Sequence, residues 1–127
     1  MPQSAYLIPK TDSLIELNQI KDLLHYYVEL TTRTGKQLSW SYEQSAFPYT
    51  LIDKPEAENN WFYLKGITDG YHMIIIGLVK DRIQVVLPDQ STHGDKAKAN
   101  ELCKFLANKI TADLILFNGR TMYYSQK

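Results

Sequence analysis

The sequence predicts an α+β fold in two layers, a largely antiparallel sheet with two helices packed on one face. Three observations predict it. Two segments carry apolar residues at the three-and-four spacing of a helix face. Several short runs are rich in β-branched and aromatic residues and end at Gly, Pro or Asn. Most of those runs follow one another between the two helices, joined by connections short enough for hairpins. The predicted order is β-α-β-β-β-β-β-α-β-β, over a single domain spanning residues 1–127.

Residues Ala5 to Ile8 read as the first strand, ended by Pro9. The first helix is expected over residues 14–34. Leu17, Ile20, Leu24, Tyr27 and Val28 form its stripe, with Leu23 and Leu30 beside them. Two starts compete, a capping box of Ser13 with Glu16 and a later cap at Asn18. Gly35 reads as the stop, because glycine readily takes the left-handed conformation that closes a helix.

Leu38, Trp40 and Tyr42 alternate with serines and read as a half-buried strand, followed by a strand from Tyr49 to Ile52. Asp53 to Asn60 reads as an exposed acidic loop. Trp61 to Lys65 is the next strand, with turns at Gly66 and Asp69-Gly70. Met73 to Val79 is the most apolar strand, turned by Lys80-Asp81 into Arg82 to Leu87. Thr92 and Asp95 then open the second helix as a variant capping box, and Ala99, Leu102, Cys103, Leu106 and Ile110 line its stripe. The chain closes with Leu114–Phe117 and Arg120–Tyr124 around Asn118-Gly119, a strong hairpin signal. This element order resembles two-layer folds of the TATA-binding-protein type, in shape only.

The totals exclude several function classes. Lys+Arg and Asp+Glu both number 14, so a nucleic-acid partner, which favours a basic excess, is disfavoured. The run from Met73 to Val79 is far shorter than the roughly 20 residues of a membrane helix. The first residues lack the basic and apolar regions of a signal peptide, and one cysteine allows no internal disulfide, so the expected compartment is the cytoplasm.

The sheet arithmetic points to function. A helix about 10 Å wide shelters roughly two strands about 4.8 Å apart, so two helices cover about four strands on one face. Yet Met73–Val79, Trp61–Leu64 and Leu114–Phe117 are apolar on both faces. The second face needs a cover of its own. The segment Glu43 to Pro48, curling of the sheet, a second copy of the chain, or an unlike partner or ligand would each supply one. The interface candidates are Trp40, Trp61, Tyr63, Ile75 and Tyr123, with a homodimer or another protein as partner. An aromatic content of 12% also suits base stacking, but a neutral chain favours a protein interface.

Chemistry-bearing motifs are absent. No Gly-x-Ser-x-Gly elbow, phosphate-binding loop, dinucleotide fingerprint or Cys-x-x-Cys pair occurs, so no catalytic residue, metal or cofactor is expected. His25 and Glu29 stand one helical turn apart and read as a solvated pair, and His72 as a strand-edge imidazole. His93 and Asp95 offer two metal ligands where a site needs three or four. Cys103 lies in an apolar stripe and reads as a core residue. One segment carries a sharper alternative: Thr92, His93, Gly94 and Lys96 open a helix, where amides and a lysine bind phosphate or carboxylate groups. Helix capping explains the same residues.

The stretches Thr34–Trp40, Thr92–Glu101 and Leu116–Arg120 together make the chain similar, over nearly its whole length, to a small domain family of Gram-positive bacteria with no assigned activity. That resemblance implies a cytoplasmic bacterial protein of this size and contributes no catalytic residues.

Overall fold

The computed structural model describes residues 3–9, 16–38, 49–53, 61–67, 69–79 and 82–124. These form strand β1 (Gln3–Ile8), helix α1 (Leu17–Leu38), strands β2 (Tyr49–Asp53), β3 (Trp61–Gly66), β4 (Met73–Val79) and β5 (Arg82–Leu87), helix α2 (His93–Ile110), and strands β6 (Asp113–Ile115) and β7 (Thr121–Met122). The seven strands make one sheet in the order β2-β3-β4-β5-β1-β6-β7. Every neighbouring pair is antiparallel. The fold is therefore the mixed α+β class that the element pattern predicts.

The antiparallel registers sort the side chains. Leu51, Leu64 and Ile74 stand in one row, as do Phe62, Ile76, Val85 and Ala5, and Ile83, Leu7 and Leu114. These point to one side, where all but the half-buried Leu51 are buried against Leu17, Ile20, Leu24 and Tyr27 of α1 and Ala99, Leu102, Cys103 and Leu106 of α2. Both helices thus cover the same face. Burying such a Leu, Ile or Phe contributes about 1.5–3 kcal/mol each, so this layer holds most of the fold's stability.

Helix α1 starts between the two expected positions. Gln19 reaches back so that its Oε1 accepts from the Glu16 amide at 2.7 Å, the N3-to-cap half of a capping box. Ser13 lies outside the described residues. The helix runs through Gly35 to Leu38 instead of stopping at residue 34. A glycine in a helix interior costs about 1 kcal/mol but terminates nothing while it keeps helical dihedrals. Leu38 therefore ends α1 and does not open a strand. Trp40 and Tyr42, the segment Glu43 to Pro48, the acidic loop over 54–60 and the Lys80-Asp81 turn lie outside the described residues.

Helix α2 matches its local signals closely. Thr92 is the cap in an extended conformation (φ −90°, ψ 170°), and both halves of the box with Asp95 are made. At the far end Thr111 adopts the left-handed conformation (φ 55°, ψ 49°), and the Ala112 amide donates to the Ala107 carbonyl at 2.9 Å. This is a Schellman closure with threonine in the place usually taken by glycine.

The final hairpin is longer than the two-residue turn that Asn-Gly suggests. The Gly119 amide donates to Leu116 O at 2.9 Å, and the Leu116 amide to Arg120 O at 2.7 Å. Phe117, Asn118 and Gly119 form the loop, and only Gly119 has positive φ (87°). Asn118 instead accepts the Arg120 amide at 3.0 Å, which favours a three-residue loop over the paired positive-φ turn.

Candidate functional site

The face of the sheet opposite the helices is built by the same registers. Ile52, Tyr63, Ile75 and Val86 are direct neighbours across β2, β3, β4 and β5, with Ser4 of β1 next. Beside that row runs another: Trp61, Gly77, Gln84, Tyr6, Ile115 and Thr121. The face is therefore divided. Its β2–β4 side is apolar and aromatic, with Lys65 at the margin. Its β5–β1 side is polar, since Gln84 Nε2 donates to Ser4 Oγ at 3.0 Å and to Tyr6 Oη at 3.3 Å, and Arg82 sits 6.0 Å over the Tyr6 ring.

Trp61 owes its place to Gly77. A Cβ built on Gly77 would lie 2.1 Å from the indole Cε3 and 2.3 Å from Cδ2, so the ring rests directly on the β4 backbone. An aromatic covering a cross-strand glycine shields a position that would otherwise weaken the strand. Trp61, Tyr63 and Ile75 are all half-buried, neither sealed into the core nor fully open. Sheet neighbours account for part of that cover, because side chains on adjacent strands lie within about 5.5 Å.

Three of the expected interface residues, Trp61, Tyr63 and Ile75, thus come together on one patch. Tyr123 does not join them. It is 60% exposed beyond β7, and five strand steps, about 24 Å, separate β7 from β3. Trp40 lies outside the described residues.

The start of α2 carries the other candidates. The Thr92 hydroxyl accepts the Asp95 amide at 3.0 Å and donates to Gly70 O at 2.5 Å. Gly94 lies against the β3–β4 loop, where a Cβ would approach Gly70 O to 2.7 Å and the Tyr71 ring to 2.8 Å. His93 and Lys96 are exposed, while Thr92 and Gly94 spend their surfaces on contacts inside the protein.

Asp95 is the organising residue of this region. It is fully buried and accepts from Tyr49 Oη at 2.5 Å, from the His72 amide at 3.0 and 3.1 Å, and from the Thr92 amide at 3.1 Å. One carboxylate thus joins edge strand β2, the entry to β4 and the helix cap. Its charge occupies the place at the helix dipole that an external anion would need. Burial, the hydrogen bond to Asp95 and its charge all push the Tyr49 phenol well above its ordinary range. Tyr49 also meets Tyr71 edge-on, with ring centroids 5.6 Å apart. The sequence shows Asp95 as a cap, but nothing local reveals a partner 46 positions earlier.

A second polar cluster joins the helices. Tyr27 Oη donates to Glu101, and Lys98 Nζ reaches Glu101 at 2.7 Å and Tyr27 Oη at 3.1 Å. Burial pushes the Glu101 carboxyl up, but the bonds from Lys98 and Tyr27 outweigh it, and its pKa is lowered. Cys103 is buried, and desolvation pushes its thiol up to about 12, far from the thiolate character a nucleophile needs. Among the described residues, no group of three or more His, Cys, Asp or Glu is placed to hold a metal ion, and no helix is long and apolar enough to cross a membrane.

No curated protein matches the sequence. A solved structure, a protein of unknown function from the Gram-positive bacterium Bacillus stearothermophilus, is 38% identical to it. The alignment covers 89% of this chain and 91% of that one, with a TM-score of 0.60. The domain of unknown function DUF1885 matches residues 3–126, and this chain belongs to that family.

Proposed function

We propose that this protein is a non-enzymatic binding module that self-associates through the apolar half of the sheet face turned away from its helices, the partner being a second copy of the same chain. The observation that carries the reading is the row Ile52, Tyr63, Ile75 and Val86 beside Trp61, on the face that neither helix covers. A second copy suits this patch for two reasons. The chain has 14 basic and 14 acidic residues, so two copies meet without net repulsion. A two-fold axis near Ile75 also brings the apolar halves together and leaves Gln84, Tyr6 and Arg82 on the polar rim, the usual anatomy of an isologous interface.

The patch sets the strength. Four strands about 4.8 Å apart and about 20 Å long give a footprint of roughly 400 Å² per copy, below the roughly 600 Å² per partner at the low end of stable specific interfaces and in the range of weak, transient ones. The dimer is accordingly weak, with dissociation in the micromolar range or above. A buried thiol and the lack of any disulfide partner fit a cytoplasmic location. Anion binding at the start of α2 is the weaker alternative, because the buried Asp95 carboxylate already stands there and accepts the Thr92 cap amide.

Sedimentation velocity over a concentration series tests the reading. The protein should shift from monomer towards dimer as concentration rises, while Ile75→Glu stays monomeric with an unchanged circular dichroism spectrum. A monomer at every concentration overturns it.

A further inference from the structure

Strand β2 is anchored unlike its neighbours. It stands at the end of the sheet and, among the described residues, pairs with β3 alone. Over residues 49–52 its one buried side chain is Tyr49, while Thr50 is exposed and Leu51 and Ile52 are half-buried. Strands β3, β4 and β5 each bury at least two apolar side chains in the core. Between β2 and α1 lies a cleft of about 320 Å³, lined by Leu24, His25, Val28, Tyr49, Thr50 and Leu51. Side chains that border such a space forgo dispersion contacts on that side, so packing holds β2 less firmly than it holds the central strands.

The polar tie to β2 is of a different kind. Tyr49 Oη donates to Asp95 at 2.5 Å, and both residues are buried, so the bond is made where water competes little. Asp95 also accepts from the His72 amide at 3.0 and 3.1 Å and from the Thr92 amide at 3.1 Å. Those donors belong to the entry to β4 and the cap of α2, and none is on β2. The carboxylate therefore stays in place without β2, and opening the strand breaks one of its bonds and leaves the others made.

We propose that β2 opens from the sheet as a unit while the rest of the fold stays intact, and that the Tyr49–Asp95 bond is the latch that holds it closed. Segments with few buried apolar contacts open at lower free energy than the core they rest on. Opening bares the edge of β3 and takes Ile52 out of the row Ile52, Tyr63, Ile75 and Val86. The closed strand is thus the form in which that row is complete. The latch itself needs no second copy of the chain.

Hydrogen exchange followed by NMR tests this on the intact protein, at a dilution where sedimentation shows monomer and under conditions where closing outpaces exchange. The amides that join β2 to β3 should exchange faster than those that join β1 to β5. Tyr49→Phe should raise the β2 rates roughly tenfold. Ile83→Val trims a buried side chain of β5, three strand steps from β2, and lowers the stability of the whole fold. It should raise the β1 and β5 rates and leave the β2 rates at their wild-type values. If Ile83→Val raises the β2 rates in step with those of β5, the strand opens only with the whole fold and the proposal is overturned. Wild-type β2 rates in Tyr49→Phe overturn it as well, because the bond then latches nothing.

Discussion

The Trp61 indole packs directly against Gly77 of the neighbouring strand, on the face of the sheet turned away from both helices. The contact fills the notch left by a residue without a side chain, and it fixes a large aromatic among Tyr63 and Ile75. Gly77→Ala should therefore do more than add a methyl group. A Cβ 2.1 Å from the ring forces the indole outward, with a loss of about 1–3 kcal/mol in urea unfolding. In a Trp40→Phe background the remaining tryptophan emission should shift to the red. An unchanged emission maximum would show that the indole is held by something other than this contact.

Asp95 should be the most sensitive polar residue. Asp95→Ala strands the Tyr49 hydroxyl and the His72 and Thr92 amides, and removes the capping box. The expected loss is about 3–5 kcal/mol, whereas Tyr49→Phe removes one bond of the set and should lose about 1–2 kcal/mol. Chemical denaturation of both variants checks the order. Equal losses would mean that Tyr49, and not the carboxylate, organises the region.

Both residues illustrate what a linear reading captures. Thr92 and Asp95 are three positions apart, so their reciprocal bonds are legible in the sequence, as is the apolar run of β4. Tyr49 is 46 positions from Asp95, and no local pattern ties them. The place of β1 between β5 and β6 is similarly non-local. Gly35 shows the opposite failure: a glycine is able to end a helix without being bound to, and here the chain continues in helical conformation to Leu38. Of the candidate patch, Trp61, Tyr63 and Ile75 were legible from two-sided apolarity. The division of that face into an apolar and a polar half was not, because it depends on register.

Thr111 offers a gain in stability. It is the described non-glycine residue with positive φ, and it sits where a glycine would close α2 without steric conflict. Thr111→Gly should stabilise the protein by up to about 1 kcal/mol, the left-handed penalty outweighing the added freedom of the unfolded chain. Thermal unfolding measures the sign. A lower midpoint would mean that the threonine side chain holds contacts worth more than the strain.

Acid should weaken the link between the helices. The Glu101 carboxyl is lowered in the folded state, so its contribution is present above the ordinary glutamate value of about 4.3 and is lost as pH falls through the folded pKa. Glu101 is half exposed, so the effect is small. Glu101→Gln should flatten the acid arm of the stability profile and leave the neutral arm nearly parallel to the wild type. An identical acid arm in the variant would remove Glu101 from the account.

Self-association through the sheet face opposite the helices is most directly tested by NMR dilution of the methyl-labelled protein, which reports where copies touch. As concentration rises, shifts should gather on Ile75, Ile52 and Val86, with the Trp61 indole resonance moving alongside them. Shifts confined to the helices, or none at any concentration, would contradict it.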